Sequence, residues 1–209
     1  MKTNVYLKVI NHGIPTAVMK DALDSAEEFF NLLSDEKTCF ASTDVHEPRE
    51  DGKLCEGSEG VTKAVLNCYP SCPKPDLALG MPPHTDFGMI TILNQTHQGL
   101  EIMDHDKKWH PVPFIQGALI VQLGDQLEVI SNGRYKSVPH RAILNVQRKW
   151  FSIASLHSMH IEKKVGPAPE LVDEQHPVAY REGSFGGFLD YISVNSLSKG
   201  KYIDTLRIT

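Results

Sequence analysis

The chain has 209 residues, 41% hydrophobic and 22% charged, which suits one globular domain, or a domain with a small appendage, burying about two-thirds of its unfolded surface. Its 21 Lys and Arg are scattered among 26 Asp and Glu, for a net charge of −5 without a basic stripe, which argues against a nucleic-acid partner. Apolar runs such as residues 118–121 fall far short of the roughly 20 residues that span a bilayer, and the start Met1-Lys2-Thr3-Asn4-Val5 lacks a signal peptide's apolar region, so no membrane partner is expected and the cytoplasm, or alternatively the nucleus, is the expected compartment.

Residues 5–10 read as a short apolar strand, turned by Asn11-His12-Gly13-Ile14-Pro15. A helix follows, with Thr16 as its N-cap. Met19, Leu23, Ala26, Phe30 and Leu33 recur at steps of four and three while Lys20, Asp24 and Glu28 fall elsewhere, the pattern of an amphipathic helix. Residues 34–60 turn polar and lose all periodicity, which reads as a loop and a boundary. From Val61 short β-like runs recur every eight to twelve residues, at 64–69, 89–93, 100–103, 118–123, 126–130, 135–138, 141–144 and 151–156, which argues for a sandwich or barrel. Asn132-Gly133, between two of these runs, predicts a type I′ hairpin. Asp104-His105-Asp106-Lys107-Lys108 makes a polar turn. Residues 184–192 predict a short helix with Phe185, Phe188 and Ile192 on one side.

The four cysteines, at 39, 55, 68 and 72, form no Cys-x-x-Cys pair and read as free thiols in a reducing compartment. A zinc pair of Cys68 and Cys72 lacks a second pair to complete it. The ten histidines carry more information. His84-Thr85-Asp86 sets an imidazole and a carboxylate two apart, on one face of a strand, and His140, at the start of a later β run, is the best-placed third ligand. Two imidazoles and a carboxylate make the facial triad of non-haem Fe(II) oxygenases, with the opposite face open. Alone, a His-x-Asp pair is more often a surface or hydrogen-bonded pair than a set of metal ligands.

The flanks Met81-Pro82-Pro83-His84-Thr85-Asp86-Phe87-Gly88-Met89-Ile90-Thr91-Ile92-Leu93 and Asn132-Gly133-Arg134-Tyr135-Lys136-Ser137-Val138-Pro139-His140-Arg141 narrow the choice. With Asn67-Cys68-Tyr69-Pro70-Ser71-Cys72-Pro73 and Gly117-Ala118-Leu119-Ile120-Val121-Gln122-Leu123-Gly124-Asp125, they resemble the plant family of 2-oxoglutarate- and Fe(II)-dependent dioxygenases, in order and over nearly the whole chain. The resemblance implies a mainly β protein with flanking helices, built on a double-stranded β-helix (jelly-roll) core. It divides the chain into a partial N-terminal region (1–50), a linker (51–60) and a β core with a C-terminal helix (61–209). It implies iron held by His84, Asp86 and His140, with no catalytic residue beyond these ligands. It also implies 2-oxoglutarate and O2 as co-substrates, ascorbate as an optional reductant, and hydroxylation or desaturation of a small plant metabolite, phenolic, flavonoid or hormone-like.

Two departures stand out. The family grips the far carboxylate of 2-oxoglutarate with an Arg-x-Ser, helped by the Tyr of an Asn-x-Tyr-Pro segment. Asn67, Tyr69 and Ser152 match, but the arginine position is Trp150, and one indole N–H cannot replace a bidentate guanidinium. Arg148 either reaches back along the strand toward that carboxylate or is a solvated turn residue beside Lys149. The chain is also short for the family, before Val5 and between Pro48 and Val61, as a truncated or internally deleted member would be. A metal-binding but catalytically impaired relative is therefore the alternative reading.

Overall fold

Alternation between buried and half-buried side chains sets the architecture. In Ile90–Gln95, Leu100–Met103, Leu119–Leu123 and His140–Ile143 every second residue is buried, the period of strands with one face on a core. The computed structural model describes residues 3–4, 6–38, 55–57, 60–195 and 200–208. In chain order they form β1 (Thr3–Asn4), β2 (Tyr6–Val9), α1 (Thr16–Asn31), α2 (Ser34–Thr38), β3 (Cys55–Gly57), β4 (Gly60–Tyr69), β5 (Leu79–His84), β6 (Ile90–Gln95), β7 (Leu100–Met103) and β8 (Trp109–Pro111). Then come β9 (Leu119–Leu123), α3 (Asp125–Ile130), β10 (Tyr135–Lys136), β11 (His140–Ile143), β12 (Trp150–Met159), α4 (Phe185–Val194) and α5 (Tyr202–Leu206).

Among the described residues, two main sheets share one core: β2-β9-β6-β12-β4-β3 and β5-β11-β7-β8. Leu93, Ile120 and Ala154 from the first sheet pack with Leu100, Ile102 and Ala142 from the second. This is the expected double-stranded β-helix. Strand β12 is central, paired antiparallel with β4 along its whole length and with β6 on its other side. Helix α1 buries Met19, Leu23 and Ala26, and Asn94 of β6 donates to the Met19 carbonyl at 3.0 Å. Leu33, the last residue of the predicted stripe, lies past the helix and is exposed. Thr16 is the first helical residue, and the cap is Pro15. A second core gathers Phe87, Val129, Val165, Tyr180, Ile203 and Leu206 around the C-terminal segment. No described helix is long and apolar enough to cross a membrane.

Three expectations need correction. Residues 126–130 form helix α3, not a strand. Gly124 is extended, and the N–H groups of Asp125 and Gln126 donate to the carbonyls of Asp86 and Phe87 at 2.8 and 3.1 Å, so tertiary hydrogen bonds outweigh the β-branched composition of the run. Asn132-Gly133 consequently closes a helix and not a hairpin. Both residues have positive φ, 50° and 77°, as the hairpin would need, but Gly133 N–H donates to Glu128 O and Asn132 N–H to Val129 O at 2.8 and 2.9 Å, the Schellman pattern. Within the expected loop over 34–60, residues 34–38 are helical, and 55–57, in the expected linker, pair with β4. The remaining 39–54, 58 and 59 lie outside the described residues.

Candidate metal centre and active site

Strands β5 and β11 run antiparallel with His140 opposite His84, and β5 ends at His84, leaving Asp86 in the loop beyond. His84, Asp86 and His140 thus converge, one donor atom from each lying within 4.8 Å of the others. Both imidazole Nε2 atoms sit 3.7 Å from Asp86 Oδ1.

Each donor's other atom is already committed. A carbonyl can only accept, so His84 Nδ1–H donates to Pro82 O and His140 Nδ1–H to Val138 O, both at 2.9 Å. The carbonyl two residues upstream therefore fixes each ring's tautomer and leaves an Nε2 lone pair facing the centre. Thr91 Oγ1–H donates to Asp86 Oδ2 at 2.5 Å, which frees Oδ1. Burial, and then the neighbouring His140, lower His84 to about 4, so its ring is neutral at ordinary pH and can ligate. The Asp86 loop is held from below by α3 through the Asp125 N–H bond to Asp86 O. That approach needs a glycine at 124, where a Cβ would lie 2.1 Å from Gly88 O and 2.8 Å from Asp86 O. Two imidazoles and one carboxylate, converging with an open side, fit Fe(II).

The triad opens into a cavity of about 220 Å³ between the two sheets. This is below the range of about 300–1,000 Å³ usual for drug-sized ligands, so its interior suits a molecule the size of a 2-oxo acid. Asn67, Tyr69, Trp150 and Ser152 all line it, because Tyr69 pairs with Trp150 and Asn67 with Ser152 across β4 and β12. Asn67 Nδ2 donates to Ser152 Oγ at 3.3 Å. Burial pushes the Tyr69 phenol up to about 12, which keeps it a neutral hydroxyl. Trp150 is 5% exposed, stacks on Tyr69 with ring centroids 4.6 Å apart, and has no partner for its indole N–H. Arg148 is not brought to this group. It lies before β12 on an exposed turn whose backbone donates to Asn145 Oδ1, so the face shared with Ser152 on a continuous strand does not exist.

Among the described residues lining the cavity, Arg141 is the one lysine or arginine, and its charge is spent. Its Nε and Nη2 lie 2.7 and 2.6 Å from Glu101 Oε2, and its guanidinium stacks 4.3 Å above Trp109. The residues present therefore fit 2-oxoglutarate only in part. The open side of the triad would take the keto-acid end, while Asn67, Tyr69, Trp150 and Ser152 would offer the far carboxylate no charged partner. Sequence reasoning missed Thr91, although strand alternation from Leu93 places it on the inward face, and it missed Gln122 and Arg141. Leu156 also lines the cavity. His12 bonds to Gly117 O at 3.0 Å, and His157 to Thr62 and Ser155, all away from the triad. Cys68 and Cys72 are free thiols.

The family model for the 2OG-Fe(II) oxygenase superfamily matches residues 62–158, which span Asn67 through Ser152 and all three candidate ligands. The chain is 35% identical to 2-oxoglutarate-dependent dioxygenase 21, chloroplastic, of Oryza sativa subsp. japonica, over 96% of this chain and 81% of the relative. The chain belongs to the 2OG-Fe(II) oxygenase superfamily. A second relative, flavanone 3-dioxygenase 3 of the same organism, is 32% identical over 97% of this chain and 83% of its own length. These alignments run to 271 and 272 positions, longer than the chain itself, so the relatives carry residues that this oxygenase lacks. Among solved structures, JOX2 in complex with 2OG, Fe and JA superposes with a TM-score of 0.83 at 22% identity, covering 98% of this chain and 82% of that one, which shows the shared fold. Fe(II), 2-oxoglutarate and O2 are the family's cofactor and co-substrates.

Proposed function

We propose that this oxygenase hydroxylates, or desaturates, a small plant metabolite, with His84, Asp86 and His140 as the iron ligands and Asn67, Tyr69 and Ser152 facing the co-substrate. The observation that carries the reading is the set of three converging donors, each with its second atom already hydrogen-bonded. In hydroxylation by the family the bound metal and co-substrate supply the oxidising power: substrate R–H, 2-oxoglutarate and O2 give R–OH, succinate and CO2.

The chain's own contribution is positioning and exclusion of water. Pro82 and Val138 carbonyls aim the imidazoles, Thr91 aims the carboxylate, and Val65, Leu93, Ala154 and Leu156 keep the cavity walls apolar. A second cavity, of about 250 Å³, shares His84 as a wall and is lined by Phe188, Tyr191 and Tyr202 together with Lys201, Asp125 and Asp204. Aromatic walls with polar groups of both signs suit a planar phenolic substrate that offers hydroxyl groups. The flavanone and flavonol named for two relatives agree with that substrate class.

Trp150 favours a second reading, a relative that binds metal and turns over poorly or not at all. Anaerobic titration with Fe(II), then a 2-oxo acid, then O2 with a panel of phenolic acids and flavonoids separates the two. One iron per chain, a weak visible charge-transfer band and a product 16 mass units heavier (2 lighter for desaturation) are expected. Iron without any band or product leaves the impaired reading, and failure to bind iron removes both.

A further inference from the structure

The family's co-substrate brings two carboxylates, and in this chain the second has nowhere to go. Tyr69, Trp150, Met81, Leu100 and Ala142 wall the cavity beside the Asn67–Ser152 pair, and Tyr69, Leu100, Ala142 and Trp150 belong to the apolar core. A carboxylate taken out of water needs a counter-charge or a full set of donors. Arg141, the one lysine or arginine among the described lining residues, is held by Glu101 and stacked on Trp109. Arg148 is exposed on its turn.

Nor can Trp150 step aside to make room. It is stacked on Tyr69 on one side, and on another it packs so closely on Gly99 that a Cβ there would lie 2.4 Å from the indole. Its N–H is buried and unpartnered, so the donors at this end are the indole N–H, the Tyr69 and Ser152 hydroxyls and the Asn67 amide, all of them neutral.

We infer that this end of the cavity selects an uncharged tail, so that the chain binds a 2-oxo monocarboxylic acid with a branched aliphatic end, such as 2-oxo-4-methylpentanoate, in preference to 2-oxoglutarate. The inference rests on the iron-oxygenase reading above. Trp150 is then the specificity-determining residue for the co-substrate.

The test is anaerobic calorimetry on the full chain loaded with Fe(II), titrated with each of the two 2-oxo acids. The monocarboxylate is expected to bind at least tenfold tighter. Trp150→Arg is expected to reverse the order, and Trp150→Phe, which keeps the wall apolar and tolerates the fold should the arginine variant not, is expected to retain it. Equal or tighter binding of 2-oxoglutarate to the iron-loaded chain overturns the inference and leaves the oxygenase reading standing. So does a Trp150→Phe variant that prefers 2-oxoglutarate, whereas binding of neither acid overturns the inference and leaves only the impaired, metal-binding reading. A chain that takes up no iron defeats the oxygenase reading itself, and the inference with it.

Discussion

At the metal end of the cavity each ligand side chain has its outward atom tied, His84 and His140 to carbonyls and Asp86 to Thr91, whereas at the Tyr69–Trp150 end a buried indole N–H has no partner at all. The first arrangement holds three lone pairs in place before any ion arrives, which is how outer hydrogen bonds raise metal affinity. The second is a wall built by stacking and packing, where one side chain decides what fits. The difference teaches that two parts of one active site answer to different constraints. Metal binding needs several strands and a loop to agree, while co-substrate choice turns on a single position of β12.

The largest effect follows from breaking the metal end. His84→Ala, Asp86→Ala and His140→Ala should each take bound Fe(II) from one per chain to near zero, measured after desalting under anaerobic conditions. Full iron occupancy in any of the three would remove that residue from the site. A subtler cut is Thr91→Val, which keeps the shape of the side chain and deletes only its hydrogen bond to Asp86. Iron affinity should fall by about 10- to 100-fold, read by competition with a chelator. An unchanged affinity would mean that Asp86 holds its orientation without help, and the contrast between the two ends would weaken accordingly.

Much of the metal end was readable from the chain alone, because His84, Asp86 and His140 stand in dense, specific flanks and the β runs around them alternate cleanly. What supports the triad was harder to see. Strand β5, which delivers His84, contains Gly80, Pro82 and Pro83 and matches no strand pattern. It forms because β5 is the edge of its sheet, where proline's missing N–H costs no ladder bond. Strand β8, with Pro111, is the opposite edge and escaped notice for the same reason. Helix α3 reads as a strand because its β-branched residues and the Asn-Gly behind it speak locally for a hairpin, while the bonds that make it a helix come from the Asp86 loop. Trp150 could be placed by counting from His140. Its stacking on Tyr69 and its lone N–H depend on the register of β4 with β12, which no local pattern encodes.

A middle-sized effect concerns the approach to His140. Glu128 of α3 is 2% exposed and receives Lys136 Nζ and Tyr180 Oη at 2.7 Å each and the Ser137 N–H at 2.8 Å, so it pins the segment leading into β11 to the C-terminal region. Burial alone would push its carboxyl up, but the bonds from Lys136, Tyr180 and Ser137 outweigh burial and hold it below the usual range. A carboxyl lowered by folding contributes stability above its ordinary value, and that stability is lost as pH falls through the folded one. Glu128→Gln should therefore cost about 3 kcal/mol near pH 7, and its melting temperature should fall less than the parent's between pH 5 and pH 3. Parallel pH profiles in thermal unfolding would show that the network carries no charge-dependent stability.

The smallest effect is expected at Arg148, and it bears on the far end. If the cavity there is uncharged, the exposed guanidinium on the turn before β12 contributes only an attraction through solvent, which physiological salt screens over about 8 Å. Arg148→Ala should then change 2-oxoglutarate affinity by less than about twofold, and raising the salt should erase even that. Calorimetry on the iron-loaded variant measures it directly. A tenfold loss would mean that Arg148 reaches the co-substrate after all. The far end would then have a cation, and Trp150 would be a packing residue with no say in which 2-oxo acid binds.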